Sequence, residues 1–150
     1  MASPNDHAVQ VLNGLVETTL DSADGYRKAA ETARDPRFKT LFAARAQKRQ
    51  QLCTELKAEV RSFGGEPKDD GSMLAATHRA FLDLKDKVTG ENDTAIIDEV
   101  ERGEDVLKAK FEKAAGDADL APAARATVER AYASVKLDHD EISALKHQQH

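Results

Sequence analysis

The fold is decided by residues 35–65, which read DPRFKTLFAARAQKRQQLCTELKAEVRSFGG. The residue before a proline avoids the helical conformation, whereas a proline suits the first turn of a helix. The paired glycines at 64 and 65 are typical of a helix C-terminus. Between these breakers, apolar side chains fall at helical spacing on one face: Phe38, Leu41, Phe42, Leu52, Leu56 and Phe63. The stretch therefore predicts one amphipathic helix over residues 36–63.

The same signals divide the rest of the chain, with Asp6 as the expected N-cap of the first helix. Together they predict helices over residues 6–34, 36–63, 72–88, 93–115 and 121–147. Short connections make the first two long helices antiparallel neighbours, and likewise the last two. The long link between the two pairs holds the short helix 72–88.

This arrangement predicts an all-α fold, a ferritin-like four-helix bundle with a short fifth helix in the long crossover. We expect a single domain over residues 1–150, with its core in 6–147. A plain five-helix up-and-down bundle fits the short third helix less well.

Composition disfavours several classes of partner and location. The chain has 150 residues, of which 40% are hydrophobic and only 5% aromatic, and this balance favours helices over a β-sandwich or barrel. The net charge of −5 favours neither nucleic acid nor an anionic membrane as a partner. No apolar stretch approaches the roughly 20 residues of a membrane span, and the first residues lack the features of a signal peptide. A cytoplasmic location is therefore expected.

Several polar residues fall on helix faces that should be buried. They are Tyr26, Arg45, Arg49, His78, Glu101, Glu104 and His139. A buried charge needs a partner, so we expect these side chains to form an internal network of ion pairs and hydrogen bonds. Counting 1.5 Å per residue from the predicted turns brings Arg49 within about one helical turn of Glu104. The expected ion pair is Arg49–Glu104 or Arg45–Glu101, supplemented by His139.

The alternative interpretation of the same faces is a metal site. Glu101, Glu104 and His139 could supply carboxylate and imidazole ligands to iron or manganese inside a bundle. Such sites typically carry Glu-x-x-His on two helices, yet the residues three positions before His78 and His139 are alanine and lysine. Cations on the second helix would also repel a metal ion. The network is the favoured interpretation, and no cofactor is predicted.

Five segments of the chain resemble a known family in their order and spacing. They are LNGLVE at 12–17, GYRKAAE at 25–31, FGGEP at 63–67, HRAF at 78–81 and ERGED at 101–105. The family consists of bacterial four-helix-bundle proteins with a domain of unknown function, placed in the ferritin-like superfamily. The resemblance implies a ferritin-like bundle, bacterial and cytoplasmic residence and an association with stress responses. It does not imply an enzyme, because the family has no settled activity. The carboxylate that superfamily metal chemistry needs near Ala23 is missing here.

The expected function is that of a non-catalytic helical protein that self-associates or binds a partner. The alternative is a ferritin-like protein that binds iron or manganese, with oxidoreductase or iron-handling activity. A membrane-surface or DNA-protecting role is disfavoured by the net charge of −5. Leu15, Leu20 and Ile96 lie off the main apolar stripes and are expected to be exposed. They favour a homodimer as the oligomeric state.

Overall fold

The computed structural model describes residues 3–71, 74–85 and 93–149, apart from the side chains of Leu74 and Gln149. These residues form α-helices and contain no strand, which confirms the all-α class for this part of the chain. The helices are α1 (Pro4–Thr32), α2 (Pro36–Ser62), α3 (Leu74–Lys85), α4 (Thr94–Ala115) and α5 (Pro122–Gln149). Residues 72, 73 and 86–88 of the predicted short helix lie outside the described residues. None of the helices in the described ranges is long and apolar enough to cross a membrane.

The observed start of α1 lies two residues before the predicted one, but the predicted N-cap is wrong, because Ser3 and not Asp6 caps the helix. The Ser3 hydroxyl accepts a hydrogen bond from the Asp6 backbone N–H at 3.1 Å. The Asp6 carboxylate in turn accepts one from the Ser3 N–H, which completes a capping box. The predicted start of α2 is confirmed, since Asp35 caps the helix and Pro36 opens it.

The helices pack as two pairs, α1 with α2 and α4 with α5, and α1 also lies against α4. Helix α3 packs mainly on α1 and also touches α4. Asp93, just before α4, joins the two pairs at one end. Its buried carboxylate accepts hydrogen bonds from the backbone N–H groups of Arg34 and Asp35, each at 2.9 Å, in the turn between α1 and α2.

The apolar core is divided into two clusters. Cluster I includes Leu12, Val16, Leu56, Leu107, Phe111, Val128 and Val135, and cluster II includes Phe38, Phe42, Ile97, Val100 and Ile142. Buried polar residues separate them: in α4, Glu104 lies between Val100 of cluster II and Leu107 of cluster I. Arg49 in α2 and Asp138 in α5 occupy the equivalent places.

The expectation that Leu15, Leu20 and Ile96 are exposed is wrong. Leu15 and Ile96 are 3% and 0% exposed, and Leu20 is partly buried against cluster I. The cause is the number of neighbours around each helix, since α1 contacts α2, α3 and α4, and α4 contacts α1, α3 and α5. A helix enclosed in this way buries a surface wider than one apolar stripe.

Candidate functional site

The centre of the site is Arg49, whose side chain is only 1% exposed. Its Nη1 donates to Oε1 of Glu104 at 2.6 Å, and its Nη2 donates to Oε2 at 3.1 Å. This bidentate geometry is the strongest form of an arginine–carboxylate pair. Burial lowers the pKa of Arg49, but the charge of Glu104 and its hydrogen bonds raise it on balance, so the guanidinium stays protonated. The predicted Arg49–Glu104 ion pair is therefore present.

Tyr26 of α1 completes the shell around the Glu104 carboxylate. Its hydroxyl donates to Oε1 of Glu104 at 2.7 Å. Burial raises the pKa of Tyr26 well above its ordinary value, and the neighbouring charge of Glu104 raises it further. The phenol therefore stays protonated and acts as a hydrogen-bond donor. Its ring also faces two cations, since the Cζ atoms of Arg49 and Arg45 lie 5.4 and 5.7 Å from its centroid.

Asp138 of α5 belongs to the site and was missed by the sequence reasoning. Its carboxylate, 7% exposed, accepts hydrogen bonds from Arg49 at 3.2 Å and from Lys48 at 2.8 Å. The spacing of Val135 and Ile142 could have indicated that Asp138 is buried, because both position 138 and position 139 fit between them on a helical face. We call Tyr26, Arg45, Arg49, Glu104 and Asp138 the polar layer.

Arg45 is part of the polar layer, but the alternative pair Arg45–Glu101 does not form. Arg45 Nη2 lies 3.0 Å from Oε1 of Glu141 and 3.7 Å from Oδ1 of Asp138, both on α5. Glu101 instead accepts a hydrogen bond from Lys146 at 2.9 Å. Arg45 therefore faces α5, whereas Glu101 lies at the outer edge of the contact between α4 and α5.

The two predicted histidines also lie outside the polar layer. His139 Nε2 lies 2.6 Å from Oδ1 of Asp105, which itself is largely exposed, and Nδ1 lies 3.3 Å from Asp140. One residue is about 100° of helical rotation, so the inward position of Asp138 turns His139 to the rim. His78 on α3 is exposed. Neither histidine supplements the buried ion pair.

The contact between His139 and Asp105 predicts a pH-dependent part of the stability. Burial lowers the pKa of His139, but hydrogen bonds to Asp105 and Asp140 outweigh this effect and raise it, against the opposing charge of Lys108. Because the pKa of His139 is raised in the folded protein, its contact with Asp105 contributes fully to the free energy of unfolding below the unfolded-state pKa, about 6.5. The contribution is then lost as the pH rises through the folded-state pKa.

We expect this loss to be below about 1 kcal/mol, because the pair lies at the surface. Urea unfolding of the protein and of His139→Gln at a series of pH values measures it. The difference in unfolding free energy between the two proteins should shrink as the pH rises. A difference that is constant with pH would contradict this assignment.

The three candidate metal ligands do not converge. Glu104 is bound by Arg49 and Tyr26, Glu101 by Lys146, and His139 by Asp105. Across residues 3–71, 74–85 and 93–149, no three His, Cys, Asp or Glu side chains are grouped closely enough to hold a metal ion. The side chains of the site neutralise one another's charge, since two arginines and a lysine from α2 face carboxylates of α4 and α5.

The model of one protein family matches residues 7–117, and its description is Domain of unknown function (DUF2383). The match includes Tyr26, Arg45, Arg49 and Glu104 of the polar layer, whereas Asp138 lies beyond it. The expected domain of unknown function is thereby confirmed. No curated protein matches the chain.

Proposed function

This chain belongs to the DUF2383 family of domains of unknown function, and we propose that it is a non-catalytic helical protein of the ferritin-like type. The observation that carries the proposal is the hydrogen bonding of the Glu104 carboxylate. Glu104 is the one fully buried residue among the three candidate ligands. Both of its carboxylate oxygens accept hydrogen bonds from Arg49, and one also accepts from Tyr26. A carboxylate bound in this way offers little to a metal ion or a substrate, and the adjacent guanidinium repels cations.

The proposal includes a bacterial, cytoplasmic setting and a role in stress, which rest on the family resemblance of the five sequence segments. Its physical content is that the polar layer holds four long helices in one arrangement. Buried polar groups can specify a single packing in this way, although apolar residues of similar volume often give more stability.

The alternative, a ferritin-like protein that handles iron or manganese, is separated from this proposal by metal analysis. The protein should be purified without a histidine tag, incubated with Fe(II) or Mn(II), and freed of unbound metal by gel filtration. We expect much less than one ion per chain. About two ions per chain, as in di-iron carboxylate proteins, would favour the alternative. Glu104→Gln is the matched variant, because a metal held at this site would be lost with the carboxylate.

The proposal also includes self-association as a homodimer. Leu137 on α5 is 71% exposed and is the candidate contact. Light scattering should return a mass near twice the 16.4 kDa of one chain. Leu137→Glu should return the mass of one chain, whereas Val106→Glu, at a less exposed valine on α4, should leave the dimer intact. A single-chain mass for the unmodified protein would remove this part of the proposal.

A further inference from the structure

A cavity of about 370 Å³ lies beside the polar layer, between α1 and α4, with α3 as its outer wall. Tyr26 and Glu104 form part of its inner end, and Phe81 of α3 and Val100 of α4 supply apolar walls. A volume in this range is that of a small-molecule site. Binding of a ligand here would go beyond the proposed function, which concerns only the ion pairs of the polar layer.

Two glycines line the cavity from opposite sides, Gly25 of α1 and Gly103 of α4. A glycine inside a helix costs roughly 1 kcal/mol of stability relative to alanine. Close packing explains neither one, since a Cβ added at Gly25 or Gly103 would meet no described atom within 4 Å beyond its chain neighbours and the nearby backbone of its own helix. The cavity therefore stays open because positions 25 and 103 carry no side chain, whereas most other residue types there would extend into it.

Ser22 offers the cavity a hydrogen-bond donor. Ser22 lines the cavity, and its hydroxyl oxygen accepts a hydrogen bond from Nη1 of Arg49 at 2.7 Å. Since that oxygen accepts from Arg49, the O–H group of Ser22 can donate a hydrogen bond to a ligand. The Tyr26 hydroxyl cannot take this role, since it donates to Glu104.

The charges around the cavity disfavour an anionic ligand. Among the described residues, its lining includes four carboxylates, on Glu17, Asp21, Glu99 and Glu104, and two cations, on Arg102 and Lys110. Ion pairs already neutralise three of these carboxylates: Glu17 with Lys68, Glu99 with Arg102, and Glu104 with Arg49. A cationic ligand would therefore have to compete with existing partners, and a neutral ligand fits best.

We infer that this cavity binds a neutral, mainly apolar small molecule with an oxygen atom that accepts a hydrogen bond from the Ser22 hydroxyl. The apolar part of the ligand would lie between Phe81 and Val100 and would cover Val106, which is 45% exposed and also lines the cavity.

The first test uses the neutral fluorophore 6-propionyl-2-(dimethylamino)naphthalene, whose emission shifts to the blue in an apolar site. The unmodified protein should bind it at saturable stoichiometry. Gly103→Leu should weaken binding at least about tenfold, because the new side chain occupies the cavity. Gly14→Leu is the matched control, since Gly14 is also inside a helix, has no atom near its Cβ direction and does not line the cavity. It should bind the fluorophore like the unmodified protein.

The double variant Gly25→Ala/Gly103→Ala keeps the test valid if leucine disturbs the fold, because two methyl groups also narrow the cavity. Ser22→Ala tests the hydrogen bond. This substitution should lower the affinity for the fluorophore by about threefold to tenfold. The affinity for 2-(dimethylamino)naphthalene, which lacks the carbonyl group, should be unchanged. The inference is overturned if the unmodified protein binds no fluorophore, or if both cavity-filling proteins bind it as tightly as Gly14→Leu. An equal effect of Ser22→Ala on both probes overturns the role of Ser22.

Discussion

Replacing Arg49 by Met is expected to lower the free energy of unfolding by about 3–5 kcal/mol. The substitution removes the guanidinium that bridges Glu104 and Asp138. Asp138 keeps its contact with Lys48, but Glu104 is left in the core with only the hydrogen bond from Tyr26. Methionine fills a similar volume, so the loss comes from uncompensated charge and not from a cavity. Urea unfolding monitored by circular dichroism measures the change.

Arg102→Met is the matched control for this prediction. Arg102 also pairs with a glutamate, Glu99, but its side chain is 65% exposed, so the expected loss is below about 1 kcal/mol. Equal losses of unfolding free energy in the two variants would contradict the prediction, because they would mean that the buried ion pair stabilises the protein no more than the exposed one.

Replacing Glu104 by Gln is expected to lower the free energy of unfolding by about 2–3 kcal/mol. The loss is smaller than for Arg49→Met because Arg49 keeps its contact with Asp138. The amide can still accept a hydrogen bond from Tyr26, but its NH₂ group meets the donors of Arg49. The guanidinium is then left buried with half of its counter-charge.

Glu101→Gln is the control for this substitution, since Glu101 lies one turn before Glu104 on the same helix. Its contact with Lys146, whose side chain is 38% exposed, makes the expected loss smaller than about 1 kcal/mol. An equal or higher melting temperature in Glu104→Gln than in the unmodified protein would contradict the prediction.

The positions of the helices and the Arg49–Glu104 pair could be predicted from the sequence for physical reasons. Proline, glycine and capping residues mark helix ends locally, and a constant rise per residue places side chains at known levels. Asp138 could not be distinguished from His139 in the same way. The two differ by one residue, and the rotation of α5 about its axis is set by packing against α2 and α4, which no local signal reports.

Long-range packing explains the other differences. Leu15 and Ile96 are buried because their helices have three helical neighbours, and the place of α3 against α1 and α4 could not be read from its own sequence. The sequence predicts Asp93 only as the first residue of the helix over 93–115. Its role in binding the backbone of Arg34 and Asp35 appears only when the two helix pairs are brought together.

The central claim is that Glu104 is a charged partner of Arg49 inside the core, and a double-mutant cycle tests it most directly. The cycle compares the unfolding free energies of Arg49→Met, Glu104→Gln and the double variant with that of the unmodified protein. We predict a coupling energy of about 1–3 kcal/mol, with the double variant less destabilised than the sum of the single ones. Additive losses, within about 0.5 kcal/mol, would contradict the claim.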